Sequence, residues 1–271
     1  MECKDVEWAA FLFNAIGEDE SYIIRLDEVQ KGIKGKQTLD DTVLCEIINF
    51  LNEWRSRANR KNVHDGIKEW YKEKSNQLDA LPPSLLGADF GNDNTAGSIK
   101  DIYRAITKKD YIGDTIASKV LHIIKPELFV PWDSVIKQFY SCKADQVDNK
   151  KTDPDEQYLY FLKKMQECAK ALIQQNHNFI DELNYKIKKL YEGNLEQARH
   201  VAETLHKRKS AEGNMNSEDQ KESNKEDNIT KYAKMVEFME NSGKTMAKYL
   251  DEYNWITITN NVKILPEWHP E

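Results

Sequence analysis

The sequence reads as an all-α protein. Apolar residues recur at spacings of three and four through most of the chain, and almost no segment alternates with the period of two that a strand requires. Prolines and glycines break the pattern at intervals that separate helical runs. At 271 residues, 39% hydrophobic and 31% charged, the chain suffices for one generous domain or two small ones with a very wet surface.

Taken in order, V-E-W-A-A-F-L-F-N-A-I from Val6 to Ile16 is apolar on most faces, as a buried helix is. Tyr22, Ile23, Leu26 and Val29 continue at helical spacing, and Gly32 and Gly35 mark a turn. Thr38 and Asp41 outline a capping box before the stripe Leu44, Ile47, Ile48, Leu51, Trp54. Ile67, Trp70, Tyr71 and Leu78 carry the next amphipathic helix. Leu81 to Gly97 holds two prolines and three glycines, so one helix cannot run through it. It reads either as a functional loop or as a connector. Ser98 is placed to cap the helix that buries Ile99, Ile102, Tyr103 and Ile106.

Further on, Pro154 fits the first turn of a helix whose stripe runs Tyr158, Phe161, Leu162, Met165, Ala169, Leu172. Phe179, Leu183, Ile187 and Leu190 begin another, which Leu195, Ala198, Val201 and Leu205 extend past Gly193-Asn194. From His206 to Asn228 no aromatic or branched apolar residue appears, so this stretch cannot bury a core. The expected organisation is a helical body over 1–205, a charged linker or solvated helical extension over 206–228, and a small C-terminal unit over 229–271. Two forms of that unit stay open: a helix-turn-helix, or helices followed by a short β-hairpin turning at Asn260-Asn261.

Several function classes drop out. No run approaches the length that spans a bilayer, and M-E-C-K-D-V-E-W lacks the basic start and apolar core of a secretory signal. Cys3, Cys45, Cys142 and Cys168 are scattered thiols without a C-x-x-C pair. A cytoplasmic chain with no metal and no cofactor is the expectation. Glu196 and His200 lie one helical turn apart but gather no third ligand. Gly243-Lys244-Thr245 lacks the earlier glycine of a phosphate loop, where Phe238 stands, and reads as a turn.

A net charge of −7 argues against indiscriminate coating of nucleic acid, but not against a local basic groove. Arg55, Arg57, Arg60 and Lys61 open such a stretch, and Lys68, Lys72 and Lys74 continue it.

The most informative segment is Ile112 to Tyr140. Gly113 permits a hairpin before a helix that buries Ile116, Val120, Leu121 and Ile124, while small Ala117 allows close packing. Pro126 and Pro131 force an extended crossing, and Asp133 opens the next helix as a candidate N-cap. This order of hairpin glycine, small-residue helix and Pro-containing crossing ending in Asp resembles the helix-hairpin-helix DNA glycosylase superfamily over about residues 98–140.

The resemblance implies that backbone amides near Gly113 hold a DNA phosphate and that Asp133 assists expulsion of a flipped-out base. It further implies that Trp132 or Tyr111 lines the base pocket; Arg55, Arg57, Arg60 and Lys61 are, by their charge, candidate DNA contacts. Tyr111 stands at the family's first hairpin glycine, and Asp114 puts a negative charge where phosphate approaches. Asp114 and Thr115 stand where lyase members carry a lysine, and Lys119 is expected to face elsewhere, which implies base removal without strand cleavage. The alternative is a non-catalytic helical adaptor that binds a protein partner through residues 229–271. Asp133 is then only a helix cap.

Overall fold

The computed structural model describes residues 1–16, 20–54, 56, 58, 61–148, 152–212 and 219–263. Among them no strand occurs, and eleven helices make up most of the described backbone. They are α1 (Cys3–Ile16), α2 (Glu20–Ile33), α3 (Asp41–Glu53), α4 (Lys61–Asp79), α5 (Asp93–Thr107) and α6 (Asp114–Ile124). Then follow α7 (Ser134–Asp148), α8 (Pro154–Gln175), α9 (Phe179–Glu212), α10 (Asp219–Asn241), α11 (Met246–Asn254) and a π-helical turn at Trp255–Thr259. None of these helices is long and apolar enough to cross a membrane.

The chain divides into two compact units, one formed by Met1–Phe179 with Thr245–Glu271, the other by Ile180–Lys244. The boundaries therefore fall at the ends of the α9–α10 region, whereas the charged stretch 206–228 lies within it. Here α9 reaches Glu212 and α10 starts at Asp219. Within this unit Lys188 pairs with Glu240 at 2.6 Å, and Asn184 closes the end by exchanging two hydrogen bonds with the Lys244 backbone. Gly243 there takes φ +67°, and a Cβ on it would come within 2.6 Å of Asn184 Nδ2.

The larger unit is built on apolar stripes. In α3 the stripe Leu44, Ile47, Ile48, Leu51 is buried, and in α5 so is Ile99, Ile102, Tyr103, Ile106. α2 lies on α3 and α6, α5 on α8, and α1 on α11. The central aromatic group joins α5, the crossing and α8. Tyr103 stacks on Tyr158 at 4.4 Å, and Trp132 stacks on Phe161 at 5.2 Å, all four side chains buried.

Two expected caps move. Asp40, not Thr38, caps α3, its carboxylate accepting from Val43 N at 2.9 Å. A shorter acid reaches the first-turn amides directly, so no capping box is needed. Asn92, not Ser98, caps α5, which begins six residues earlier than the periodicity indicated. The Leu81–Gly97 stretch is tied down where Gln166 Nε2 donates to Leu85 O and Ala88 O, at 2.7 and 2.6 Å.

The C-terminal hairpin does not form. Trp255–Thr259 coils as a π-helical turn continuing α11, with Asn260 N bonded to Trp255 O. Ile256 is buried against Trp8 and Phe13 on α1, so winding rather than strand pairing hides the apolar residues. Residues 245–259 thus complete the body's core: Ala247, Tyr249 and Leu250 are fully buried.

Candidate functional site

The crossing before Asp133 is fixed residue by residue. His122 Nδ1 lies 2.6 Å from Phe129 O, Tyr158 OH donates to Val130 O at 3.0 Å, and Ser118 Oγ bridges both the N–H and the carbonyl of Trp132 at 3.1 Å. A carbonyl can only accept, so Nδ1 carries the His122 proton and Nε2 accepts from Tyr22 OH at 3.2 Å. Complete burial holds the His122 pKa down to about 3, keeping the ring neutral. These three side chains place Asp133 at the N-terminus of α7.

There, Asp133 Oδ1 accepts from Val135 N and Ile136 N, each at 2.8 Å, and Oδ2 accepts from Thr259 Oγ1 at 2.6 Å. The carboxylate borders a cavity of about 350 Å³. Thr115 and Lys119 of α6, Trp54 after α3 and Phe13 of α1 line it, together with Asp251, Trp255, Thr259 and Asn260.

Contrary to the expectation from the sequence, Lys119 does not face elsewhere. One turn after Thr115, it shares the cavity with Asp133 because α6 presents both positions to the same side. Its Nζ donates to Trp54 O at 2.6 Å and Ser56 Oγ at 2.9 Å, pinning the chain after α3.

Behind Asp251 lies a group of buried charges. Lys248, wholly inaccessible, places Nζ 3.3 Å from Asp251 Oδ2 and 3.2 Å from Glu252 Oε1. The same ammonium sits 4.1 Å from the Phe13 ring centre, 4.8 Å from Trp54 and 5.0 Å from Tyr22. Rings and carboxylates together replace its lost hydration. Burial raises the Asp251 pKa, with Lys248 and Lys119 opposing that rise and Asp133 adding to it.

The hairpin departs from the expected geometry. Tyr111 adopts φ +63°, taking the left-handed conformation that suits glycine. Gly113 is extended (φ −85°, ψ 175°) at the N-cap of α6, with open space where a Cβ would point. The turn's special backbone is thus at Tyr111, and Gly113 has no conformational need to be glycine. Nor is Asp114 a bare charge: it accepts from Tyr103 OH at 2.7 Å and pairs with Lys137 of α7.

Of the remaining sequence-derived residues, Trp132 reaches the cavity wall but has no exposed surface, its ring packed against Phe161 and Tyr158. Tyr111 is 57% exposed and does not border the cavity. Lys61 is exposed in the first turn of α4, also away from the lining. Arg55, Arg57 and Arg60 lie outside the described residues. Further along the basic stretch, Lys68 pairs with Asp41 and Lys74 with Asp101, each at 2.5 Å. Among the described residues no group of three or more His, Cys, Asp or Glu is arranged to hold a metal ion.

Sequence reasoning missed Phe13, Trp54, Asp251, Trp255 and Thr259. Their convergence depends on α11 docking on α1, and only the density of aromatic and acidic residues in L-D-E-Y-N-W hinted at it. No curated protein and no solved structure matches the chain. Over residues 55–188, which contain Lys119 and Asp133 but not Phe13, Trp54, Asp251 or Trp255, it is similar to a family of unknown function, DUF6308.

Proposed function

We propose that this protein binds nucleic acid and seats a nucleobase, turned out of its strand, in the cavity beside Asp133, where it removes that base without cutting the strand. The observation that carries the reading is Asp133 itself: a carboxylate oriented by two backbone amides and a hydroxyl, on the wall of an aromatic-lined cavity. Trp54 and Trp255, both partly exposed, supply ring surface for a planar ligand.

In the proposed reaction the N-glycosidic bond breaks with its electron pair leaving on the base nitrogen, which takes up a proton. The sugar left behind is cationic at C1′, and the Asp133 carboxylate stabilises it electrostatically. Water adds at C1′ and releases a proton, leaving an abasic site on an intact strand. Lys119, engaged with Trp54 O and Ser56 Oγ, serves as an architectural cation in this scheme. The setting is the cytoplasm.

Duplexes carrying a panel of modified bases, incubated with the whole chain and resolved on a gel after alkaline cleavage of abasic sites, test the proposal. The expected result is release of at least one base by wild type and its loss in Asp133→Asn. Salt-sensitive DNA binding with no release would instead mark a binding module, and no binding at low salt would remove nucleic acid from the account.

A further inference from the structure

We propose that Asp251 is the residue that reads the cavity's ligand, selecting a planar heteroaromatic ring that bears an exocyclic amino group, as cytosine and adenine do, over one that carries a carbonyl at that position. This rests on the reading of the cavity as a nucleobase site and goes beyond it by naming the edge that is recognised.

Three observations carry the inference. Asp251 is only 6% exposed and is one of the residues that line the cavity. Its Oδ2 faces Lys248, while Oδ1 meets no hydrogen-bond donor among the described residues, so a residue of the cavity lining keeps acceptor capacity for a ligand. Lys248 holds the carboxylate in place from behind, itself boxed by Phe13, Tyr22 and Trp54.

The local charge points the same way. The groups around Asp251 are Lys248 and Glu252 on α11, Lys119 on α6 and Asp133 at the start of α7. In their ordinary ionised forms these are two ammonium groups and, with Asp251, three carboxylates, so an N–H-donating edge is favoured and a carbonyl oxygen repelled. Burial, which raises the Asp251 pKa, sharpens the need for such a donor, because an ionised buried carboxylate lacks the water that would solvate it. Phe13, Trp54 and Trp255 give the cavity the apolar aromatic lining that a flat ring prefers.

Cytosine and uracil, and adenine and hypoxanthine, are pairs of equal ring size that differ by an amino group against a carbonyl. Ligand-observed NMR titration of the whole chain with these four free bases tests the inference. Wild type is expected to bind each amino-bearing base on the order of tenfold more tightly than its partner, as one well-placed polar contact allows. In Asp251→Asn, whose amide offers both a donor and an acceptor, the preference should collapse. Equal binding within the pairs, a preference for uracil and hypoxanthine, or no binding of any base by wild type overturns the inference, and these outcomes need no variant to fold. Base release that depends on Asp133 but shows no such discrimination would leave the function standing and remove Asp251 from it. Discrimination without release would do the reverse.

Discussion

Thr259 donates its hydroxyl to Asp133 Oδ2 at 2.6 Å, joining residues 126 positions apart. The bond ties the π-helical turn to the residue that precedes α7 and orients the carboxylate that borders the cavity. Hydrogen bonds to a charged group contribute about 1.5–3 kcal/mol when well formed. Thr259→Val, which keeps the shape and deletes the donor, should therefore lower unfolding free energy by about 1–2 kcal/mol in denaturant titration. An unchanged midpoint would mean the bond does not form in solution.

His122 predicts a specific acid sensitivity. Its folded pKa lies well below the unfolded value of 6.5, so the unfolded chain binds the proton more readily. Stability from this group is fully present above pH 6.5 and falls as pH drops towards 3, by about 1.4 kcal/mol per unit. His122→Phe should flatten that slope between pH 6 and 4. An identical slope in the variant would show that His122 is not the buried neutral ring described.

The hairpin offers a paired test. Tyr111→Gly removes a left-handed tyrosine and should stabilise the chain by about 0.5–1 kcal/mol. Gly113→Ala places a methyl group in open space at an extended residue, and should change the melting temperature little. If glycine is needed at 113 and not at 111, the two results will be exchanged.

How much of this was legible in the sequence depends on which forces act locally. The helical periods, Pro154 at the start of α8 and Asp133 as a cap were readable because each follows from a few neighbouring residues. The caps of α3 and α5 were misplaced because several polar residues compete near each helix start, and packing chooses among them. The C-terminal turn was ambiguous because I-T-I-T suits a strand by propensity, while burial of Ile256 against α1 decides for a helical winding. Half the cavity was invisible for the same reason: Phe13, Trp54 and Asp251 meet only through tertiary packing.

Since α11 belongs to the core, removing everything after residue 228 should not leave a folded body. The deletion strips out Tyr249, Leu250 and the buried Lys248 with its carboxylates. Loss of a cooperative thermal transition is the expected result, read by circular dichroism. A cooperative transition near that of the full chain would show that the C-terminal residues form a detachable docking unit after all.

Single-turnover base release by wild type and Asp133→Asn on the same modified duplex decides whether Asp133 is catalytic. Asparagine keeps an acceptor for the α7 amides but loses the charge, so the chain should fold and bind DNA with release slowed by about 10²–10³. Release at the wild-type rate in Asp133→Asn, or none by wild type across the panel, would contradict the account.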